Sequence, residues 1–474
     1  MSPVLIIIIG MIVVLVGILV IRLHPVLSLL IGALVVGLLT SPSLLQVYAE
    51  GKNLSPAQTA ALLNQSLGER IAIGFGDTCA KIGLLIVLAS ITGKCLLDSG
   101  AAERIVRTLL NVSGEKKAPA ALMISSFTLG IPIFVDTVYL LMIPLVRALG
   151  VRNTRFYALY IMAMIAGGTI THSLVPPTPG PIFAARALNV SLGVMIIMGL
   201  IIGIVCSSVG LLYAYWLNKR QNIPFRETPG TSIDKLKEWS AKDNAQLPSF
   251  FMSLLPVLVP VILIAGETIT ASMKNTDKNN RSFFELAGDP TIAMFIGTTF
   301  ALQLLLKQYS YRVKALTKPL EEAVYSAGTI ILITASGGAF GYILQQTSIG
   351  TWLATHTSDL KIAILPMAFL ITALIRTAQG SATVAMITAV GMLTAFNTPG
   401  ALSFHPVYLA IVIGCGSKVF AWMNDSGFWV ICKMSGFTEQ ETIKNNSVML
   451  AIMGVVGLGV TMLMAKLFPF PFPF

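Results

Sequence analysis

Residues 172–181 read HSLVPPTPGP and interrupt Phe156–Ala185, a stretch of thirty residues without Asp, Glu, Lys or Arg. Four prolines within six residues exclude one continuous helix, because proline removes a backbone donor and clashes with the preceding turn. A second apolar stretch, Ala118–Leu149, contains GIPIFVD at 130–136 and is too long for one straight span and too short for two. Irregular backbone survives at membrane depth only where it is buried in protein or lines a cavity. The two stretches therefore predict a broken membrane helix and a re-entrant hairpin.

The composition of the chain is typical of a membrane protein. Of its 474 residues, 55% are hydrophobic and only 11% are charged, with a mean hydropathy of +0.80. Soluble globular chains carry about 25% charged residues. Val4–Ile21 and Leu192–Leu217 contain no charge, and a helical span needs roughly 20 apolar residues. These runs do not alternate as barrel strands do, so the sequence predicts an all-α polytopic membrane protein.

The second half of the chain repeats the plan of the first. Its long apolar segment Ile362–Phe396 contains RTAQGSAT at 376–383, and its predicted broken helix Pro406–Met434 is interrupted by AWMNDSG at 421–427. An amphipathic stretch, Ser55–Arg70, is predicted to lie at the interface. The other predicted helices are about Val4–Ile21, Pro25–Leu39, Lys81–Leu97 and Leu192–Leu217 in the first half, and Ser249–Gly266, Pro290–Leu306, Ala323–Leu344 and Asn446–Leu467 in the second.

Three landmarks recur at nearly one offset along the sequence. They are Gly93 and Gly341 (248 apart), Gly130 and Gly380 (250 apart), and Pro176-Pro177 and Asn424-Asp425 (248 apart). Each half then has five crossings, one re-entrant hairpin and one broken helix. Five is odd, so the sequence predicts two inverted repeats, 1–217 and 249–474, joined by a linker at 218–248 within one transmembrane transporter domain, 1–474. Interrupted segments at matching positions point to the binding site of such transporters.

Charge gives the predicted orientation. Most lysines and arginines fall on the face that holds Arg22, Arg152, Arg155 and the linker. Cytoplasmic loops collect these residues, so the linker is predicted to be cytoplasmic and both termini external, in a cell inner (plasma) membrane. The same rule explains the net charge of +11, and no basic stripe with interleaved aromatics predicts nucleic-acid binding.

The sequence favours transport over catalysis. It has no GxxxxGK[ST] phosphate loop, no His or Glu pair at zinc spacing, and five cysteines that form no CxxC pair. We therefore expect no ATP-driven step, no metal, no cofactor and no enzyme activity.

Ionisable residues at membrane depth are candidate functional residues, because burying them is costly. Asp136 lies at the first hairpin turn. It either couples transport to a proton, binds hydroxyl groups of the substrate, or caps a helix. Asp425 lies in the second break and is favoured for proton coupling. Arg376 would hold an anion by paired hydrogen bonds or pair with a buried acid. His172 would relay protons or bond substrate, or be a satisfied core histidine.

Neutral polar residues at the breaks complete the predicted substrate site. A helix that begins after Gly380 offers free N–H groups to an anion, with hydroxyls that could equally be N-caps. The set consists of Thr178, Gly380, Ser381, Thr383, Asn424 and Ser426. Elsewhere, Asp77 and Lys81 are one turn apart and are interpreted as a pair, and Lys418 as a snorkelling or paired lysine.

Four motifs resemble the gluconate permease (GntP) family of gluconate:proton symporters. They are FTLGIPIFVD at 127–136, HSLVPPTPGP at 172–181, GSATVAMIT at 380–388 and NDSGFW at 424–429. The resemblance implies proton-coupled uptake of sugar acids or related hydroxy acids. It also implies two hairpins facing a central site, a scaffold-and-carrier division, and homodimers moving by an elevator motion.

The leading hypothesis is a secondary active symporter for a small hydroxylated monocarboxylate and protons. A sodium-coupled carboxylate carrier stays open, since hydroxyls and backbone carbonyls at the breaks would suit sodium. A membrane-embedded enzyme using Ser381 with His172, and a channel, are the remote alternatives.

Overall fold

The protein is an assembly of helices in a computed structural model that describes residues 2–114, 117–221, 223–226, 247–272, 278–348, 363–396, 402–423 and 425–470. Asn424, most of the linker including 235–242, and Phe474 lie outside the described residues. The described part contains no strand, as the sequence predicts for an all-α polytopic membrane protein.

The helices of the first half follow the predicted order of spans, hairpin and break. Two short helices, α3 and α4, precede the long α5. The bounds are α1 Pro3–Leu19, α2 Pro25–Leu39, α3 Pro42–Gly51, α4 Pro56–Asn64, α5 Leu67–Asp98, α6 Ala101–Ser113, α7 Ala118–Leu129, α8 Val135–Arg152, α9 Tyr157–Leu174, α10 Pro179–Ala187 and α11 Leu192–Arg220.

The second half runs through the same order. The bounds are α12 Phe250–Ser272, α13 Lys278–Ala287, α14 Pro290–Gln308, α15 Thr317–Gln345, α16 Ile364–Gln379, α17 Ala382–Leu393, α18 Val407–Gly416, α19 Ser426–Ser435, α20 Glu439–Thr442 and α21 Val448–Leu467. Helices α7 and α8, and α16 and α17, occupy the two segments predicted to be hairpins. Helices α9 and α10, and α18 and α19, occupy the two segments predicted to be broken spans.

One predicted boundary is wrong. The amphipathic stretch ends at Asn64, and α5 begins at Leu67 rather than near Lys81. Ser66 restarts the helix with a capping box, in which its hydroxyl accepts from the Glu69 N–H and the Glu69 carboxylate accepts from the Ser66 N–H. Helices α3, α6, α13 and α20 were not predicted.

Seven helices of the described part are long and apolar enough to cross a membrane, or eight if the sharply bent pair α2–α3 counts as one span. The shorter apolar helices are α1, α7, α16, α17 and α18. The count of five crossings per half stays a prediction.

Helix α9 lies at the centre of the molecule. The apolar window of the span that contains it, Thr154–Ala187, is entirely buried within the protein. A helix that is hydrophobic all round is stable only inside a large protein or a membrane. Here α7, α8 and α11 pack around it, so the first break, at residues 175–178, lies in the protein interior.

Helices α5 and α15 pack antiparallel along most of their length. The Arg70 guanidinium donates to Gln346 Oε1 at 2.8 Å, and Lys94 Nζ lies 2.8 Å from Glu322 Oε2. Between these ends, Gly338 lies against Thr78, where a Cβ on the glycine would be 1.8 Å from the threonine hydroxyl. As the residue number rises along α5, the partner number falls equally along α15.

Candidate functional site

The largest group of polar side chains faces a cavity of about 420 Å³ between the hairpins and the second break. We call it the central cavity. Its wall includes the starts of α8, α17 and α19 and one face of α15. The polar residues that line it are Asp136, Thr137, Tyr139, Thr169, His172, Ser326, Arg376, Ser381, Thr383, Lys418, Asp425, Ser426 and Asn446.

Seven of the ten predicted site residues meet here, although they are spread over almost 300 positions of sequence. They are Asp136, His172, Arg376, Ser381, Thr383, Asp425 and Ser426. Asn424 lies outside the described residues. Thr178 and Gly380 are not among the residues that line this cavity.

Those two residues shape the backbone beside the site. Thr178 is buried, and its hydroxyl donates to the Val175 carbonyl at 2.8 Å, so the hydroxyl is satisfied within the break. Gly380 ends α16 at φ +90°, a conformation that residues with a Cβ rarely adopt. The turn it permits starts α17 at the cavity.

Three helices begin at the cavity wall. Asp136 and Thr137 lie in the first turn of α8, Thr383 in the first turn of α17, and Ser426 and Gly427 in the first turn of α19. Each helix start carries unsatisfied backbone N–H groups and the positive end of the helix dipole. The three together favour an anion in the cavity.

Arg376 and Asp425 form the ion pair of the cavity wall. Arg376 Nη2 lies 2.5 Å from Asp425 Oδ2, and Arg376 Nε donates to the Ser417 carbonyl at 3.0 Å. The other Asp425 oxygen accepts from the Gly427 N–H at 3.1 Å and so caps α19. Of the two interpretations of Arg376, its contacts match the pair with a buried acid. Nη1 is buried without a partner among the described residues.

Asp136 has a different environment from Asp425. Its Oδ2 accepts a hydrogen bond from the Ser426 hydroxyl. A Cβ on Gly427 would lie 2.9 Å from Asp136 Oδ1, so only glycine leaves room for the carboxylate over the start of α19. Asp136 therefore joins the first hairpin to the second break through a neutral partner, whereas Asp425 faces a cation.

His172 joins the broken helix α9 to the second hairpin. Its Nε2 lies 3.4 Å from Thr383 Oγ1, and its ring meets the edge of Phe134 at 5.9 Å between centroids. Ser381 caps α17 by accepting from the Val384 N–H at 3.4 Å. It also lines the cavity, so capping and a contact with substrate are compatible.

Sequence reasoning missed several lining residues, and Lys418 is the most important. Its side chain is only 2% exposed, so it does not snorkel. Within the part of the chain that the structure describes, no ion pair or hydrogen bond of its ammonium group is found. The predicted position of Lys418 at membrane depth was the sequence feature that could have identified it as a site residue. Tyr139 and Thr169, whose hydroxyls bond each other, carried no signal because single neutral residues are common in apolar helices.

The described residues contain no cluster of His, Cys, Asp or Glu that could hold a metal ion. All five cysteines are free, and four of them are buried.

Long apolar helices and a polar cavity between the predicted hairpins and the second helix break define a polytopic membrane transporter. The model of the GntP family permeases matches residues 56–467, and the chain belongs to that family. As a multi-span member of a bacterial permease family, it is a protein of an inner membrane.

Curated relatives cover most of the chain. It is 29% identical to a gluconate permease of Zymomonas mobilis, covering 93% of this chain and 92% of that protein. It is 31% identical to a high-affinity gluconate transporter of Escherichia coli, covering 82% and 86%. It is 29% identical to the Gnt-II system L-idonate transporter of Escherichia coli, covering 83% and 88%.

Two solved structures share the fold at low sequence identity. The Alcanivorax borkumensis YdaH transporter matches with a TM-score of 0.62 at 13% identity, over 86% of this chain and 91% of that one. Neisseria gonorrhoeae MtrF matches with a TM-score of 0.58 at 14% identity, over 85% of each chain.

Proposed function

We propose that the protein is a proton-coupled symporter that takes up gluconate or a related sugar acid. Relatives named for gluconate and L-idonate support the substrate class. The observation that carries the proposal is the convergence on one cavity of three helix starts and of Lys418, a buried lysine without an ion pair among the described residues. A carboxylate would bind to Lys418 and the helix N–H groups, and its hydroxyls to Ser381, Thr383 and Ser426.

The charges that face the central cavity explain how a proton is coupled to an anion. Arg376 is neutralised by Asp425, which leaves the cation Lys418 and the carboxylate Asp136. The empty cavity with ionised Asp136 is neutral overall. When Asp136 takes up a proton and a monovalent anion binds, the loaded cavity is neutral again. Charges are costly to move through a low-dielectric barrier. The neutral empty state and the neutral loaded state are therefore the two states that change between the inward-facing and outward-facing forms.

Asp136 is our preferred proton carrier, with Asp425 as the second choice. Both oxygens of Asp425 are already engaged, one by the Arg376 guanidinium and the other by the Gly427 N–H. The partner of Asp136 among the described residues is the neutral hydroxyl of Ser426, which accommodates either protonation state because a hydroxyl both donates and accepts. This reverses the order of preference predicted from sequence.

The packing of α5 on α15 supports the inverted repeat. At the offset of 248, Gly74 corresponds to Glu322 and Lys94 to Tyr342. Gly74 contacts Tyr342, and Lys94 contacts Glu322, so the two contacts are copies of each other. An antiparallel pair of equivalent helices is the arrangement that two inverted halves produce. The linker would then be cytoplasmic, both termini external, and the central cavity open to the cytoplasm.

We propose elevator-type alternating access, in which the hairpins and broken helices slide along the α5–α15 pair of a homodimer. The contact between α15 and α17 supports sliding, because the backbones of the two helices touch there without side chains between them. A Cβ on Gly391 would lie 2.8 Å from the Gly337 carbonyl oxygen. Small residues let membrane helices approach this closely.

Uptake of labelled gluconate and idonate by the protein reconstituted in vesicles tests the proposal. An imposed pH gradient should drive accumulation, and a protonophore should abolish it. Accumulation that follows a sodium gradient and ignores the protonophore would replace the proposal with the sodium-coupled carrier. Absence of sugar-acid uptake in both conditions would refute it.

A further inference from the structure

A second cavity, of about 250 Å³, lies at the other end of the α5–α15 pair. Its wall comes from the first half of α5, from α10 and from the last part of α15, and it includes the end of the second hairpin at Thr394. The residues that the argument uses are Asp77, Thr78, Lys81, Ile82, Phe183 and Arg186.

The two cavities correspond through the sequence repeat. Thr78, Ile82 and Phe183 line the second cavity. The residues 248 positions later, Ser326, Ile330 and Ile431, line the central cavity. Three pairs at one offset identify the second cavity as the counterpart of the central one on the opposite face of the protein.

The second cavity differs from its counterpart in charge. Arg186 corresponds to Met434, Lys81 to Thr329 and Asp77 to Tyr325 at the same offset. Lys81 and Asp77 neutralise each other, with Nζ 2.8 Å from Oδ2, as the sequence predicted. Lys52 also lines this cavity, so Arg186 and Lys52 are the charges that give it a positive character.

Arg186 has unused hydrogen-bonding capacity. Its Nε is buried without a partner, and among the described residues no hydrogen bond or ion pair of its guanidinium is found. Asp289 is near enough to interact with it electrostatically, but that carboxylate caps α14 through the N–H groups of Thr291 and Ile292. A guanidinium with free donors suits a carboxylate.

The linings of the two cavities come together at Gly337. Phe183 lines the second cavity and Ile387 the central one. Both lie against Gly337, where a Cβ would be 2.7 Å from Ile387 Cγ2 and 3.5 Å from Phe183 Cζ. We call Phe183 and Ile387 the apolar plug. A ligand in the second cavity would therefore lie one side-chain layer from the central cavity.

We propose that the second cavity is an external binding site for the sugar-acid anion before it reaches the central cavity, with Arg186 holding the carboxylate. The inference rests on the proposed function. In the proposed orientation this cavity faces the outside. By holding the carboxylate there, Arg186 raises the local concentration of the substrate anion next to the apolar plug.

Protection of introduced cysteines tests the two cavities separately. In a background without the native cysteines, Ala187→Cys places a thiol in the second cavity and Ser326→Cys places one in the central cavity. A membrane-impermeant thiol reagent is applied to right-side-out vesicles for the first variant and to inside-out vesicles for the second. Gluconate or idonate should slow the labelling of both.

Arg186→Gln should raise the gluconate concentration that half-protects Ala187→Cys by about three- to tenfold, because one charged contact to the carboxylate is lost. Half-protection of Ser326→Cys should stay unchanged, which also shows that the variant folds. Arg186→Lys should recover part of the loss. Arg155→Gln, which removes an exposed arginine on the opposite face, should change neither value.

The outcomes separate the two proposals. Protection of Ser326→Cys without protection of Ala187→Cys overturns the second site and leaves the proposed function standing. The second site is also overturned, with the proposed function intact, if Arg186→Gln shifts neither half-protection value. Absence of protection at both positions, together with absence of uptake, refutes the proposed function and the inference that rests on it.

Discussion

The Arg376 guanidinium and the Asp425 carboxylate are joined at 2.5 Å in the wall of the central cavity, where Arg376 is only 4% exposed. The two residues belong to different elements, the second hairpin and the second break. Their ion pair fixes the start of α19 against the end of α16.

Removing either partner of this pair should be more damaging than removing both. Arg376→Ala should abolish uptake, because an unpaired buried carboxylate costs about 3–5 kcal/mol. Arg376→Lys should rescue it in part, since a point charge lacks the guanidinium fork. The double variant Arg376→Gln with Asp425→Asn should recover membrane levels and substrate binding. Normal uptake by Arg376→Ala would show that the pair has no role in transport.

Proton coupling should fail in Asp136→Asn while exchange persists. An amide resembles the protonated carboxyl, so the variant should bind substrate and exchange labelled for unlabelled gluconate. It should not accumulate gluconate under a pH gradient. Asp425→Asn serves as the comparison and should lose exchange as well, because it breaks the pair with Arg376. Normal accumulation by Asp136→Asn would transfer the coupling role to Asp425 or His172.

Lys418 should determine the affinity of the central cavity for anions. A hydrogen bond to a charged group is worth about 1.5–3 kcal/mol, so Lys418→Gln should weaken gluconate binding by about ten- to hundredfold. Ligand-induced thermal stabilisation of the purified protein measures the loss. Lys466→Gln, an exposed lysine near the end of α21, is the matched control. Equal binding by Lys418→Gln and wild type would exclude Lys418 from the site.

Uptake should be electroneutral, with one proton per monovalent anion. In vesicles with a fixed pH gradient, potassium and valinomycin set the membrane potential independently. Transfer of one net charge would change the accumulation ratio about fiftyfold per 100 mV. We expect no such change, and a ratio that follows the potential would disprove the neutral loaded cavity.

Uptake should also fall as the external pH rises, because Asp136 must be protonated when substrate binds.

The orientation of the protein can be tested with two reporter fusions. One is placed in the linker at residues 235–242 and the other after Phe474. A cytoplasmic linker and an external C-terminus give opposite signals. Matching signals would contradict the count of five crossings per half and, with it, the inverted repeat.

Much of this fold is predictable from the sequence because glycine and proline residues mark the positions at which its helices are interrupted. Gly130, Gly380 and the prolines at 176–181 each mark a place where the structure turns or breaks. The start of α5 was missed for a physical reason. Asp77 and Lys81 face the second cavity rather than lipid, so this part of the helix carries charges that a lipid-facing span would not.

The site residues were predictable as polar groups at membrane depth, but their partners were not. Asp136 and Ser426 are 290 positions apart, and Arg376 could be assigned either to an anion or to a buried acid. Only the packing of α8 on α19 and of α16 on α18 decides which side chains meet. Lys418 was misinterpreted because depth alone does not show whether a lysine reaches the interface.

The apolar plug formed by Phe183 and Ile387 has an electrical consequence in the proposed orientation. The two polar cavities would then approach the plug from opposite faces, and the insulating layer there would be thinner than the bilayer core of roughly 30 Å. The membrane voltage would fall mainly across these side chains. A carrier of this shape would move its substrate through a steep field over a short distance, and a substitution that shrinks Phe183 would open a route for ions rather than merely loosen a helix contact.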